Sequence, residues 1–397
     1  MKKLLFVIPS LSAGGGEKSL VNLLSQINYQ AINVDLFLFN KTGVFVNSIP
    51  REVNIIEPGD NYKTFGCSLK PSVLQFLKNN HYYLAYSRLM FTIKNRLIRN
   101  TSMAEQSSWK YQRNAFNTLE TEYDLAIGFL EKSSIYFVVD KVKAKKKVGW
   151  IHTNYTNSGM NPRYDQAYFD RLNNLVTVSE ECALSLEKCF PNLKNKIRVI
   201  LNIVSPPIIE KLSEEIINEN CSIDKKDIHI VTIARLSHEK GIDMAINACE
   251  ILVNKGYNII WSVLGEGNER GRLETLINRK NLDNSFKLLG IKGNPYPYLR
   301  KADIYVQPSR YEGKSIAIDE AKILRKPIVV SNYPSAKDQI KNGINGMIVE
   351  MNEDSLSKGI EELIKNENLK ANFISNLSNE PLGTEEEIRK LYEIFSG

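Results

Sequence analysis

Short apolar segments alternate with amphipathic stretches of helical spacing along nearly the whole chain, in two separate runs. That alternation restricts the fold to α/β units built on parallel sheets. The first run predicts strands at 4–8, 34–39, 53–56, 125–129, 147–151, 176–178 and 198–201. The second starts afresh at 228–234 and continues at 259–264, 286–289, 304–307, 328–330 and 347–349. Between the runs the stretch 202–227, with Pro206-Pro207 followed by a polar, charged tract, has linker composition. A length of 397 residues suits two domains of ordinary size. The expected organisation is a Rossmann-like half over 1–203, a linker over 204–227 and a second Rossmann-like half over 228–380, the two facing a central cleft. A last piece, 381–397, starts with the break Pro381-Leu382-Gly383 and carries a helical pattern expected to cross back to the first half.

Composition excludes several classes. The apolar and charged fractions, 43% and 24%, are those of a globular chain and argue against disorder. The five cysteines (Cys67, Cys182, Cys189, Cys221, Cys249) form no CxxC pair, which points to a reducing, cytoplasmic setting. Pro9 cuts the apolar start after five residues, too short for a signal peptide. No stretch approaches the roughly 18–20 apolar residues of a membrane-crossing helix. The net charge of +7 is local: residues 61–119 hold nine basic side chains against the single acid Glu105, so the remainder is close to neutral. Within that segment, 72–99 reads as one long helix. Leu74, Leu77, Leu84, Leu89, Ile93 and Leu97 form its stripe, among Lys78, Arg88, Lys94, Arg96 and Arg99 and four interleaved aromatics.

Four loops carry candidate chemistry. The first, Gly14-Gly15-Gly16 after the first strand, exposes backbone N–H groups at a helix start, as phosphate or a developing anion requires; a bare tight turn would look the same. The second, Arg235-Leu236-Ser237-His238-Glu239-Lys240-Gly241, follows the first strand of the second run, and ligands bind at the carboxyl ends of parallel strands. There an arginine fork and a lysine point charge can converge on a diphosphate. The third, Gly265-Glu266-Gly267 with Gly271, misses the dinucleotide spacing by one residue and reads as a turn. The fourth runs from Ser309 to Ala321. Glu312 closes a loop, Gly313 permits a tight turn, Ser315 is placed to cap the following helix, and Glu320 lies inside that helix. Amides around Lys314, Ser315 and Ile316 suit phosphates, while the two carboxylates suit hydroxyls.

With these motifs in hand, the chain resembles glycosyltransferase family 4, retaining enzymes of the GT-B fold. The resemblance rests on Arg235/Lys240, the Glu312-x7-Glu320 arrangement, the loop from Gly290 through Asn294-Pro295-Tyr296-Pro297-Tyr298, and the N-terminal glycine loop. It implies a nucleotide-sugar donor, UDP-linked in most such enzymes. Arg235 and Lys240 would grip its diphosphate, Glu312 the sugar hydroxyls and Glu320 the ribose, while Gly290 and Ile291 lie against the base and Gly15, Gly16, Gly313, Lys314, Ser315 and Ile316 line the donor. His152, after the strand 147–151, matches the family's histidine near the donor sugar. Lys314 departs from the aromatic residue common after Glu-Gly, and a cation there would supplement the phosphate grip or alter which sugar fits. No Asp-x-Asp occurs, so neither metal nor cofactor is expected.

Members of the resembled family often build bacterial surface polysaccharide on lipid carriers. The expected partners are therefore a nucleotide-sugar donor, a glycan or lipid-linked acceptor, and an anionic membrane met peripherally by Arg88, Lys94, Arg96 and Arg99. Two rivals stand beside this reading: a sugar-nucleotide epimerase or hydrolase of the same fold, and a basic nucleic-acid binder. The second is disfavoured, because the aromatics of 72–99 fit a core stripe better than a stacking platform and the donor motifs would have no role.

Overall fold

The computed structural model describes residues 1–12, 14–216 and 227–396. It divides into two compact units, one formed by Met1–Ser12, Gly16–Leu201 and the chain from Glu387 onward, the other chiefly by Asn202–Glu386. In the first unit the strands are β1 (Lys2–Ile8), β2 (Ile32–Leu38), β3 (Asn54–Ile56), β4 (Glu122–Phe129), β5 (Lys143–Ile151), β6 (Asn174–Thr177) and β7 (Ile197–Val199). They make one parallel sheet in the order β3-β2-β1-β4-β5-β6-β7. The second unit holds β8 (Ile228–Ile233), β9 (Ile259–Leu264), β10 (Phe286–Gly290), β11 (Ile304–Gln307), β12 (Ile328–Ser331) and β13 (Met347–Val349). Their order is β10-β9-β8-β11-β12-β13, again parallel. Strand order thus reverses between β1 and β4 in one sheet and between β8 and β11 in the other. Those reversals open the crevices in which doubly wound sheets hold ligands.

Strands β4 and β5 start three to four residues earlier than the apolar pattern suggests. The added residues, Glu122 to Asp124 and Lys143 to Lys146, are mostly charged and extend the ladder through backbone pairing such as Glu122 with Lys143. Apolar periodicity marks only the buried half of such a strand.

Three expectations of the sequence need correction. The single helix over 72–99 is two, Leu69–Lys78 and Tyr82–Leu97. They are broken at Asn79-Asn80, where Asn80 takes φ +60°, a conformation asparagine tolerates. The stripe assigned to its buried face is also wrong. Leu84 is buried with Phe76 and Ala85, whereas Leu74, Leu77, Leu89, Ile93 and Leu97 are exposed together with Tyr82, Tyr83 and Tyr86. The tyrosines are therefore not a core stripe. Finally, the stretch expected as linker begins with a helix, Pro206–Leu212, whose two prolines occupy its first turn. Ile209 of this helix and Val204 pack with Tyr296, Ile316 and Ile323 of the second unit. Residues 217–226, Cys221 among them, lie outside the described residues.

At the carboxyl end, Thr384 Oγ donates to the Asn202 carbonyl at 2.7 Å and accepts the Val204 N–H at 2.8 Å. The helix Ile388–Ser396 buries Leu391 and Phe395 in the first unit. There Tyr392 Oη accepts the Asn28 N–H at 3.0 Å, and Lys146 Nζ donates to the Ile394 carbonyl at 3.0 Å.

Candidate active site

In the second unit the loops after β8 and β11 meet at the reversal of strand order. Gly241, at φ +65°, lies so close to the second loop that an added Cβ would stand 1.9 Å from the Pro308 carbonyl oxygen. Arg310 laces the two together. Its N–H donates to the Glu239 carbonyl at 2.8 Å, and its guanidinium grips both Asp243 carboxylate oxygens at 2.9 Å and the His238 carbonyl at 2.7 Å. The fork and the carboxylate match as bidentate groups.

This lacing brings Lys240 Nζ to 2.7 and 2.6 Å from the two carboxylate oxygens of Glu312. Glu312 Oε1 also accepts Ser309 Oγ at 2.7 Å and Gln307 Nε2 at 3.0 Å. Two residues read separately from the sequence, one for phosphate and one for hydroxyls, are partners. The pair is nearly buried, with side-chain exposures of 19% and 8%. Arg235 is the opposite case: its side chain is 61% exposed, with Glu239 at 3.3 Å.

The helix Ile316–Ile323 follows. Ser315 stands at its N-cap but makes no capping bond. Its hydroxyl donates instead to Gln307 Oε1 at 3.4 Å. The Ser315 N–H is taken by Gln339 Oε1 at 2.8 Å, so of the amides expected to face phosphate this one is committed within the protein. Lys314 is committed too. Its Nζ lies 3.4 Å from Asp319 Oδ2 and both side chains are close to buried, so its charge answers Asp319 and the expected supplement to the phosphate grip is not available in this arrangement. Glu320, 1% exposed, accepts the Tyr296 hydroxyl at 3.0 Å, which gives the Asn294–Tyr298 stretch a concrete contact. Gly290, at φ +71°, accepts the Gly265 N–H through its carbonyl at 2.9 Å, and Ile291 beside it is exposed. Gly265 is a close-approach glycine: a Cβ would stand 2.0 Å from the Ala234 carbonyl oxygen.

The first unit carries His152 just past β5. Its Nε2 is buried without a hydrogen-bond partner among the described residues, and its ring lies 4.7 Å from that of Phe129. Burial lowers its pKa to about 3, so the imidazole is neutral at pH 7. Gly16 packs beside it: an added Cβ would meet Leu130 Cδ2 at 2.5 Å and His152 Cγ at 3.7 Å, while Gly15 faces open space. A residue the sequence reading missed is Glu131, whose Oε1 accepts the His152 N–H at 2.5 Å. Its only sequence signal is a carboxylate placed right after the last residues of a predicted strand.

The depressed histidine pKa has a pH consequence. Unfolded, His152 takes up a proton below about 6.5, whereas folded it does so only near 3. Between those values the unfolded state binds more protons, so stability falls as pH drops through that window. Thermal unfolding from pH 7 to 4 is expected to lose less in His152→Asn than in the wild type; parallel curves would contradict the burial.

In the basic segment, Arg88 does not face outward. Its guanidinium donates to the Cys67 carbonyl at 2.9 Å and lies over the rings of Phe65 and Phe91. Arg96 and Arg99 are exposed and Lys94 is half-buried. They accompany an exposed stripe of Tyr82, Tyr86, Leu89, Ile93 and Leu97 on one helix.

Two parallel-sheet α/β units, each with one reversal of strand order, make a GT-B fold. The comparisons with known proteins agree. Residues 213–379 match the family model Glycosyl transferases group 1. A Campylobacter jejuni N-acetylgalactosamine-N,N'-diacetylbacillosaminyl-diphospho-undecaprenol 4-alpha-N-acetylgalactosaminyltransferase is 23% identical over 93% of this chain and 92% of its own. A Staphylococcus aureus poly(ribitol-phosphate) alpha-N-acetylglucosaminyltransferase is 28% identical over 41% of this chain and 34% of its own. The chain spans about half, or about a third, of the length of the first curated relatives it matches. Among solved structures, Anabaena HepE in complex with UDP and glucose matches over the full length of both chains with TM-score 0.70 and 16% identity. S. aureus TarM with UDP matches over the full length of both chains with TM-score 0.68 and 17% identity.

Proposed function

We propose that this protein is a retaining, metal-independent glycosyltransferase of family 4 that moves a sugar from a UDP-sugar to a lipid-linked glycan in bacterial surface polysaccharide synthesis. The observation that carries the reading is the Lys240–Glu312 pair at the β8/β11 reversal, with the exposed Arg235, 3.3 Å from Glu239, on the same loop. Departure of a nucleoside diphosphate puts negative charge on its phosphates, and preorganised cations stabilise that charge. Lys240, already fixed by Glu312, needs no reorganisation, while the exposed Arg235 closes on the diphosphate when it arrives. Glu312 meets the sugar hydroxyls and Glu320 the ribose. The polymer-building relatives and the UDP-bound structural neighbours support this choice of donor and acceptor class.

A screen of UDP- and GDP-sugars against undecaprenyl-diphosphate glycans, with a chelator in one arm, tests it. Product with retained configuration from a UDP-sugar in EDTA is expected. Donor consumed equally with and without acceptor would mark a hydrolase, and loss in EDTA restored by magnesium would overturn metal independence.

The acceptor implies a place of work at the inner face of the cell membrane. No helix among the described residues is long and apolar enough to cross a bilayer. The exposed stripe and its flanking cations instead have the composition of an interfacial helix. Each cation near an anionic surface contributes about 1 kcal/mol, and the attraction is screened as the Debye length falls from about 10 Å at 0.1 M salt to about 3 Å at 1 M. Liposome sedimentation is expected to show binding that needs anionic lipid, fades in high salt and drops on replacing Lys94, Arg96 and Arg99 by Ser. Equal recovery with neutral vesicles would leave a soluble acceptor.

A further inference from the structure

In the first unit the crevice at the reversal of strand order lies at the carboxyl ends of β1 and β4. β4 ends at Phe129, and the next residues, Leu130-Glu131-Lys132, have an unusual backbone: φ is +125° at Leu130 and +62° at Lys132. Glycine or asparagine serves such positions at little cost; leucine and lysine do not. Backbone of this kind persists only where surrounding contacts impose it, and it clusters at functional sites. The contacts are present. Leu130 N–H donates to the Trp150 carbonyl at 3.2 Å, Lys132 Nζ pairs with Glu105 at 2.5 Å, and Ser133 Oγ donates to the same carboxylate at 3.1 Å.

The outcome of this arrangement is the direction of Glu131. Its carboxyl reaches across to β5 and receives the His152 N–H at 2.5 Å. Burial pushes its pKa above the usual carboxylate range, while the N–H groups of His152 and Thr153 and the charge of Lys132 draw it back down. Next to it stands the imidazole whose Nε2 is buried and has no hydrogen-bond partner among the described residues.

We propose that Glu131 is a positioning residue for sugar transfer: its carboxylate pins the His152–Thr153 backbone so that His152 offers an unpartnered Nε2 to a hydroxyl of the sugar substrate. The idea rests on the glycosyl-transfer reading, in which His152 already lies near the donor sugar, and adds to it the residue that holds this histidine in place. Glutamine is a discriminating replacement. Its oxygen can accept one N–H, but its NH2 then confronts the other, so the peptide and the ring it carries shift. A misplacement of about 1 Å at a reacting centre costs on the order of a hundredfold in rate.

The test combines kinetics with histidine NMR on the full chain. Glu131→Gln is expected to lower kcat about a hundredfold while leaving the donor KM and UDP affinity close to wild type. In a His152→Ala background the same change should add almost nothing, because two residues that act as a unit are not additive. The chain has four histidines, so His152 is assignable by substitution. It should not titrate between pH 5 and 8 in the wild type but should titrate nearer its ordinary 6.5 in Glu131→Gln. Should that variant fail to fold, Glu131→Asp, which keeps the charge and loses the reach, takes its place with the same expectations. Wild-type kcat in the variant, multiplicative losses in the double variant, or an unmoved titration would each overturn the proposal. Absence of any transfer by the wild type would instead fell the glycosyl-transfer reading, and the titration would still decide whether Glu131 holds the ring.

Discussion

Replacing Lys240 by alanine is expected to lower both turnover and stability, whereas replacing Arg235 lowers turnover alone. The two cations sit on one seven-residue loop and are indistinguishable in kind from the sequence, but their surroundings differ. Lys240 neutralises a carboxylate that is itself only 8% exposed. Removing one member of a buried pair leaves the other charged and unpartnered, at about 3–5 kcal/mol when burial is complete. Ser309 and Gln307 still donate to Glu312 and Lys240 keeps some exposure, so the lower end of that range applies. Arg235 is itself largely exposed beside Glu239, and ion pairs at the surface contribute about 0–1 kcal/mol. A charge-assisted contact to the donor diphosphate is worth roughly 1.5–3 kcal/mol, which is about ten- to a hundredfold in rate. The expected pattern is therefore an Arg235→Ala protein with an unchanged melting temperature and turnover down by about that factor, and a Lys240→Ala protein that melts several degrees lower and turns over more slowly still. Scanning calorimetry beside donor-saturation kinetics reads both. A Lys240→Ala protein as stable and active as wild type would dissolve the pair as a functional unit.

The strand pattern was legible because parallel strands buried on both faces read as apolar runs, and the thirteen strands of the described residues occur where such runs stand. What the pattern hides is pairing. Lys240 and Glu312 are 72 residues apart, and no local rule says that an Arg310–Asp243 clamp will bring them into contact. Ser315 looks like an N-cap by residue type, yet Gln339, which lies 24 positions on, claims its N–H, and Gln307 receives its hydroxyl. The basic helices misled in another way. Helical spacing of leucines ordinarily marks a core face, whereas here the spacing holds but the stripe faces water. Periodicity locates an apolar face without saying what covers it. Glu131 was invisible for a related reason: its importance lies in a backbone conformation that the residue types at Leu130 and Lys132 argue against.

Gly241→Ala is expected to be a severely damaging single-methyl change in the second unit's site, and a matched control isolates why. Gly241 and Gly256 both adopt left-handed backbone, at φ +65° and +89°, so alanine is strained at either place by about 1–2 kcal/mol. Their surroundings are opposite. At Gly256 an added Cβ meets nothing within 4 Å, but at Gly241 it would stand 1.9 Å from the Pro308 carbonyl oxygen and 3.0 Å from its carbon. Neither atom belongs to a side chain that can rotate away, so the loops after β8 and β11 must separate. Separation stretches the Arg310 links to Glu239, His238 and Asp243 and draws Lys240 off Glu312, because all of these span the same gap. Gly256→Ala should then cost only its backbone strain and leave turnover near wild type. Gly241→Ala should cost at least twice that in unfolding free energy and reduce turnover about a hundredfold or more, the scale set by losing placement of a charged group at the reacting centre. Equal losses of stability in the two variants, with turnover intact in both, would show that the loops yield without consequence and that their close approach is not what holds Lys240 in place.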